Sequence, residues 1–182
     1  TIDNYFISYY DTDGSTPLLT PTEYNITSGD ITLPIPTKTG YTFAGWFATT
    51  TPMPSETPIA IIAAGSTGPM TLFAQWTPIE YNISYENLYT ATNDDNPVTY
   101  TIEDAITLAP PTNLPTYHQF NGWFDAATGG TPIPTIALGS TSNKTLYAQW
   151  TITVPTYDIT INGVTANNGT VTGQVGNIPE NT

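Results

Sequence analysis

The hydrophobic positions of this chain fall into short alternating runs separated by Pro-, Gly- and Asn-rich breaks. In Tyr5-Phe6-Ile7-Ser8-Tyr9, large apolar and polar residues alternate with period two, the pattern of a strand with one buried face. Phe43, Gly45 and Phe47 line one face of a second run, with Ala44 and Trp46 on the other. Leu72, Ala74 and Trp76 alternate in a third, opposed by Phe73. Between the first two, Ile31-Thr32-Leu33-Pro34-Ile35-Pro36 is closed to a long helix, because proline lacks the amide hydrogen and restricts the residue before it. At most a turn of helix fits at 28–30, or at 103–105 in the corresponding later stretch. Gly45 and Gly122 stand inside strand-like runs, where glycine marks a bulge or a close backbone approach, here to admit the adjacent Trp ring.

These runs occur twice. Gly40-Tyr41-Thr42-Phe43-Ala44-Gly45-Trp46-Phe47 returns as Tyr117-His118-Gln119-Phe120-Asn121-Gly122-Trp123-Phe124, and Thr71-Leu72-Phe73-Ala74-Gln75-Trp76 returns as Thr145-Leu146-Tyr147-Ala148-Gln149-Trp150. The opening strand returns as Tyr81-Asn82-Ile83-Ser84-Tyr85. All 4 Trp residues fall at these equivalent places. A period near 75 exceeds that of a solenoid layer, so each copy reads as a small domain with its own core. The expected units are 1–77 and 78–151, built around Trp46, Trp76, Trp123, Trp150, Phe43, Phe120, Gly45 and Gly122. Only Thr77-Pro78-Ile79-Glu80 separates Trp76 from Tyr81, a joint short enough to be semi-rigid. Residues 152–182 carry Asn162-Gly163 and Asn168-Gly169, strong turn signals between alternating runs, and read as a hairpin or meander. About 30 residues bury too little surface to fold alone. The piece therefore packs on the second copy, begins a third domain, or adds a strand to a neighbouring chain.

The motifs Tyr-x-Ile-x-Tyr, Ile-Thr-Leu-x-x-Pro, Gly-Tyr-x-Phe-x-Gly-Trp-Phe and Thr-Leu-Tyr-Ala-x-Trp resemble the Listeria-Bacteroides repeat, the B-repeat of internalin-type and other bacterial surface proteins. The resemblance covers residues 3–151. It implies a β-rich α+β fold, two tandem β-grasp (ubiquitin-like) domains each with a four-stranded mixed sheet, and a spacer or adhesion role at the cell surface. It supplies no catalytic residues. The second copy departs from the pattern at Tyr117-His118, where a different turn is expected, and both copies have Gln (Gln75, Gln149) where a basic residue commonly precedes the last Trp.

Charge narrows the partners. With 2 basic and 15 acidic residues, the net charge of -13 opposes binding to nucleic acid, which requires phosphate neutralisation, and docking on an anionic membrane leaflet. Charged residues make up only 9% of the chain while Thr makes up roughly a fifth, so hydroxyls solvate the surface. There is no Cys and no long apolar run. The segment is therefore expected to be a mature or excised piece with no membrane anchor of its own.

Candidate chemistry is sparse. His118 is the single histidine, lacks partners for a triad or a zinc site, and reads as structural. Glu23, Glu56, Glu103, Asp104 and Asp125 do not recur between copies and read as solvated charges. Asp11 and Asp13, and likewise Asp94 and Asp95, cluster oxygen donors that suit calcium, yet Asx-rich turns form without metal. Lys38 and Lys144 sit at non-equivalent places, against a shared isopeptide cross-link. Asn25, Asn82, Asn143 and Asn168 are glycosylation sequons that matter only in a glycosylating host. No enzyme, cofactor or metal is expected.

The function these features imply is a non-catalytic, extracellular structural spacer of a cell-surface, adhesin-like protein or appendage. Its partners would be flanking repeats or other copies of itself. The alternatives are a filament subunit joined by exchange of terminal strands, or an adhesion module binding glycan or protein through Tyr10, Tyr89 or Tyr117.

Overall fold

A computed structural model describes residues 1–154 and the backbone of 159–161 and 164–166. The first copy contains β1 (Asn4–Tyr10), β2 (Pro17–Asn25), β3 (Ile31–Thr32), β4 (Tyr41–Phe47), β5 (Ile61–Ile62) and β6 (Met70–Pro78). The second contains β7 (Tyr81–Glu86), β8 (Thr99–Tyr100), β9 (Ile106–Thr107), β10 (His118–Phe124), β11 (Thr135–Ile136) and β12 (Lys144–Ile152). Two sheets of four strands result, in the orders β2-β1-β6-β4 and β10-β12-β7-β8. Each is mixed: the first and last strands of a copy pair in parallel, as Tyr9 beside Leu72 and Tyr85 beside Leu146, and the other pairings are antiparallel. The short pairs β3 with β5 and β9 with β11 lie apart from these sheets as separate two-stranded ladders.

The described residues contain no helix, and this corrects the expected fold class. An α+β, ubiquitin-like β-grasp domain would lay a helix across the sheet after β2. Here that connection is irregular backbone with one two-residue ladder, so the chain is all-β. The physical reason lies in its own residues. Pro34 and Pro36 in one copy, and Pro110 and Pro111 in the other, remove amide hydrogens that a helix needs. The backbone finds other partners: the Leu33 amide donates to the Ala60 carbonyl at 2.9 Å, and the Leu108 amide to the Pro134 carbonyl at 2.9 Å.

Each copy has its own buried cluster. Ile7, Tyr9, Tyr24, Leu33, Trp46, Ile62, Leu72 and Ala74 form the first. Ile83, Tyr100, Leu108, Trp123, Ile136, Leu146 and Ala148 form the second. The faces of β4 differ from the simple alternation. Register shifts between Phe43 and Gly45, and between Phe120 and Gly122, insert a bulge that brings Phe43 and Trp46 to the same side, as it does Phe120 and Trp123. The backbone of Ile159–Ile161 (β13) pairs antiparallel with Val164–Ala166 (β14). What the 152–182 piece packs against, and with it the terminal strand-exchange alternative, lies outside the described residues.

The two bulge glycines share a backbone and differ in surroundings. Gly45 has φ 140° and Gly122 has φ 136°, values that side-chain-bearing residues avoid. A Cβ on Gly45 would lie 2.3 Å from the Pro58 Cβ, whereas one on Gly122 would meet only the Phe124 ring at 3.4 Å. The close approach is thus to Pro58 and not to the Trp ring, and it exists in one copy. Gly45→Ala should therefore destabilise the first copy by more than Gly122→Ala destabilises the second. The latter should cost about 1–2 kcal/mol for the left-handed backbone alone. Denaturant unfolding of the two variants checks this, and equal losses would contradict it.

Candidate functional site

The 4 Trp side chains and the junction between the copies hold the features with most bearing on function. Trp46 and Trp123 are almost wholly buried, at 1% and 3% exposure. Each indole donates its Nε1 hydrogen to a carbonyl of the irregular crossing segment, Trp46 to Pro34 at 2.7 Å and Trp123 to Ala109 at 2.8 Å. Trp76 and Trp150 are partly buried at the ends of β6 and β12. They donate to the loop after the first strand of each copy, Trp76 to the Asp11 carboxylate at 2.7 Å and Trp150 to the Asn87 carbonyl at 2.8 Å. Phe43 sits edge-on between Trp46 and Trp76 at 5.3 and 5.4 Å, and Phe120 between Trp123 and Trp150 at 5.3 Å from each. Such edge-to-face pairs favour one geometry over slippage.

Around the outer indole the copies diverge. In the first, Lys38 pairs with Asp11 at 3.0 Å and lies over the rings of Tyr41 and Trp76. In the second, Tyr89 and His118 stack beside Trp150 instead, with ring centroids at 6.1 and 6.2 Å. The His118 Nδ1 lies 2.8 Å from the Thr116 carbonyl.

The loop carboxylates already have partners. Asp11 accepts from Lys38, the Thr12 amide and Trp76, while Asp13 accepts from the Ser15 and Thr16 amides and the Thr16 hydroxyl. Burial raises the Asp11 carboxyl, but those hydrogen bonds and the Lys38 charge together outweigh it, and the net direction is down. The Thr16 hydroxyl and the Thr16 and Ser15 amides bring Asp13 down to about 2. Asp104 is lowered by the Thr101 amide and hydroxyl. Among the described residues no group of three or more His, Cys, Asp or Glu side chains is placed to hold a metal ion. Lys144 lines a mainly apolar cavity of about 310 Å³ with Asp125, Ile133 and Leu146.

Several structural residues escape a reading by motif. Tyr24 and Tyr100 are buried, and their hydroxyls donate to the carbonyls of Gly68 and Ser142 before the last strand of each copy. Their spacing of 76 matches that of the opening strands and was the available signal. Gln75 and Gln149, at the places of the family's basic residue, reach across to loop carbonyls: Gln75 to Thr50, and Gln149 to Ala126 and Gly129. Asn96 is 6% exposed; its amide donates to the Ala109 carbonyl at 2.9 Å and accepts from the Ala109 amide at 2.7 Å. It has no repeated counterpart, so the self-comparison carried no sign of it.

The copies meet at their ends. The Tyr41 hydroxyl donates to Glu103 at 2.9 Å, which raises the tyrosine pKa. The Ile79 amide of the connecting segment donates to the Gly40 carbonyl at 2.9 Å. Gly40 has φ 78°, and a Cβ there would lie 2.5 Å from the Ile102 Cδ1. Ile102 of the second copy therefore occupies the space a side chain would take.

Two comparisons bear on identity. The model of the Listeria-Bacteroides repeat domain matches residues 5–75 and again 81–149. The chain belongs to the Listeria-Bacteroides repeat family. It is also similar to Internalin H of Listeria monocytogenes serovar 1/2a, 36% identical over 131 residues, with 64% of this chain and 20% of that protein covered. The chain thus spans about a fifth of the length of that relative. The repeat places both matched segments on the two sheets, each from its opening strand to its last.

Two outcomes follow from the site. Carboxyls with depressed folded-state pKa values contribute stability that is complete above their ordinary value of 3.8 and is lost as pH falls towards the folded value, about 2 for Asp13. The thermal midpoint should therefore drop as pH falls through that window, and Asp13→Asn should flatten the drop. Unfolding curves recorded at successive pH values check this; superimposable profiles would refute it. Asn96→Ala leaves the Ala109 amide without its partner and should cost about 1–3 kcal/mol, read by denaturant unfolding.

Proposed function

We propose that this chain is a non-catalytic, extracellular spacer segment of a cell-surface protein related to internalins. Its repeats act mechanically by holding whatever lies beyond them at a set distance and angle. The observation that carries this reading is the seated contact between the copies, with Ile102 against Gly40 and Tyr41 bonded to Glu103. Only two residues, Ile79 and Glu80, separate β6 from β7, and one of them is itself hydrogen-bonded to Gly40. A joint with so few free torsions transmits orientation, which a flexible linker does not. Family membership and the relative's name support placement at a bacterial surface, where the partners are flanking repeats of the same parent chain.

A second reading has one observation in its favour. Tyr89 is 71% exposed beside Trp150 and His118, where the first copy covers its rings with Lys38. An uncovered aromatic group of this kind suits stacking on a sugar ring or an apolar protein side chain.

Small-angle scattering of the full chain should give an elongated particle whose distribution of dimensions broadens when a Gly-Ser stretch is inserted between Ile79 and Glu80. A folded-back particle, or one indifferent to the insertion, argues against the spacer. Saturable glycan binding that Tyr89→Ala abolishes would favour the second reading.

A further inference from the structure

Ile102, the residue seated on Gly40, has a counterpart in the first copy. Both belong to the turn that follows the second strand of their copy. In the second copy the Asp104 amide donates to the Thr101 carbonyl and the Glu103 amide to the Thr101 hydroxyl. In the first copy the Ser28 amide donates to the Asn25 carbonyl and the Thr27 amide to the Asn25 side-chain oxygen. Ile26 thus stands at the same position of the same turn as Ile102. Ile102 is partly buried by the first copy, whereas Ile26 is 55% exposed.

The receiving side is not duplicated. The Thr153 amide donates to the Tyr117 carbonyl at 2.7 Å, as the Ile79 amide does to Gly40, so the chain leaves both copies by the same path. Yet Tyr117 holds the left-handed φ of 61° with a full side chain, 49% exposed, where Gly40 is bare. His118 replaces Tyr41, and with it goes the hydroxyl that bonds Glu103.

We propose that Ile26 is a knob for the Gly-Tyr turn of another repeat of this family docked ahead of the first copy, and that Tyr117 closes the matching socket of the second. The joint is directional. A repeat can be received at the Ile26 end in the geometry already present between the copies, while a repeat following Thr153 meets an aromatic side chain where its isoleucine would seat. Apolar burial of the isoleucine is the attraction, and the absence of a Cβ is the condition for it. The proposal deepens the spacer reading, since it makes pitch a property of the residue at the Gly40 position.

Two extended chains test it. In one, residues 1–80 are placed ahead of Tyr5 of the same protein; in the other, residues 81–182 are placed after Val154. The first should show methyl contacts between Ile26 and the added copy's Gly40 by nuclear Overhauser effects, and joint tumbling of all three repeats. Ile26→Ser should remove those contacts and leave the Ile102 contacts in place. In the second chain the added repeat should tumble separately until Tyr117→Gly and His118→Tyr are introduced together. A folded first chain without Ile26 contacts, or coupling in the second without those substitutions, would overturn the proposal. Scattering keeps the two readings apart: an elongated particle lacking the Ile26 contacts refutes the knob alone, and a folded-back particle that retains them refutes the spacer alone.

Discussion

The fold rests on one buried indole in each copy and on where its single hydrogen goes. A helix crossing the sheet satisfies its own backbone; an irregular segment does not and must be tied down from outside. Trp46 does this by donating to Pro34, and Trp123 by donating to Ala109, while each ring fills the space beneath. Tyr9 lies 5.0 Å from Trp46 and Tyr85 lies 4.9 Å from Trp123, so the first strand packs on the same ring. Removing a buried Trp commonly costs about 3–5 kcal/mol. A domain of this size is stable by only about 0.05–0.15 kcal/mol per residue, so that loss is comparable with the whole margin.

The copies agree at this centre and diverge at the periphery. Both use a Phe wedged between two indoles, a buried Tyr bonded to a late turn, and a Gln that pins a loop. Around the outer indole, an ion pair under Lys38 in the first copy gives way to Tyr89 and His118 in the second. Among the described residues, the non-glycine positions with positive φ, Asn87, Tyr89, Asn113, Tyr117 and Ser142, all lie in the second copy. Divergence is tolerated where side chains meet solvent or another repeat, because there a changed volume has room to move. In the close-packed centre it does not.

Much of this was legible in the residues because it is periodic. Strands announce themselves by alternation, and equivalent Trp and Gly residues declare two units of one design. The absence of a long helix was legible as well: the family resemblance implied a helix that the prolines of the crossing segment already argued against, and the residues were the better guide. The strand faces were not legible. The bulges at Gly45 and Gly122 reversed which side chains share a face with Trp46 and Trp123, since one extra residue in a strand inverts every later position.

What the sequence determined by itself was the repeat, the strand content, the indole centres and a net charge of -13. Each is a local or periodic property, readable without knowing what lies opposite. Tertiary structure alone decided that Asn96 closes on Ala109, that Gly45 is crowded by Pro58, and that Gly40 receives Ile102. Those facts depend on which distant backbone comes within a few ångströms, and no spacing along the chain encodes that distance.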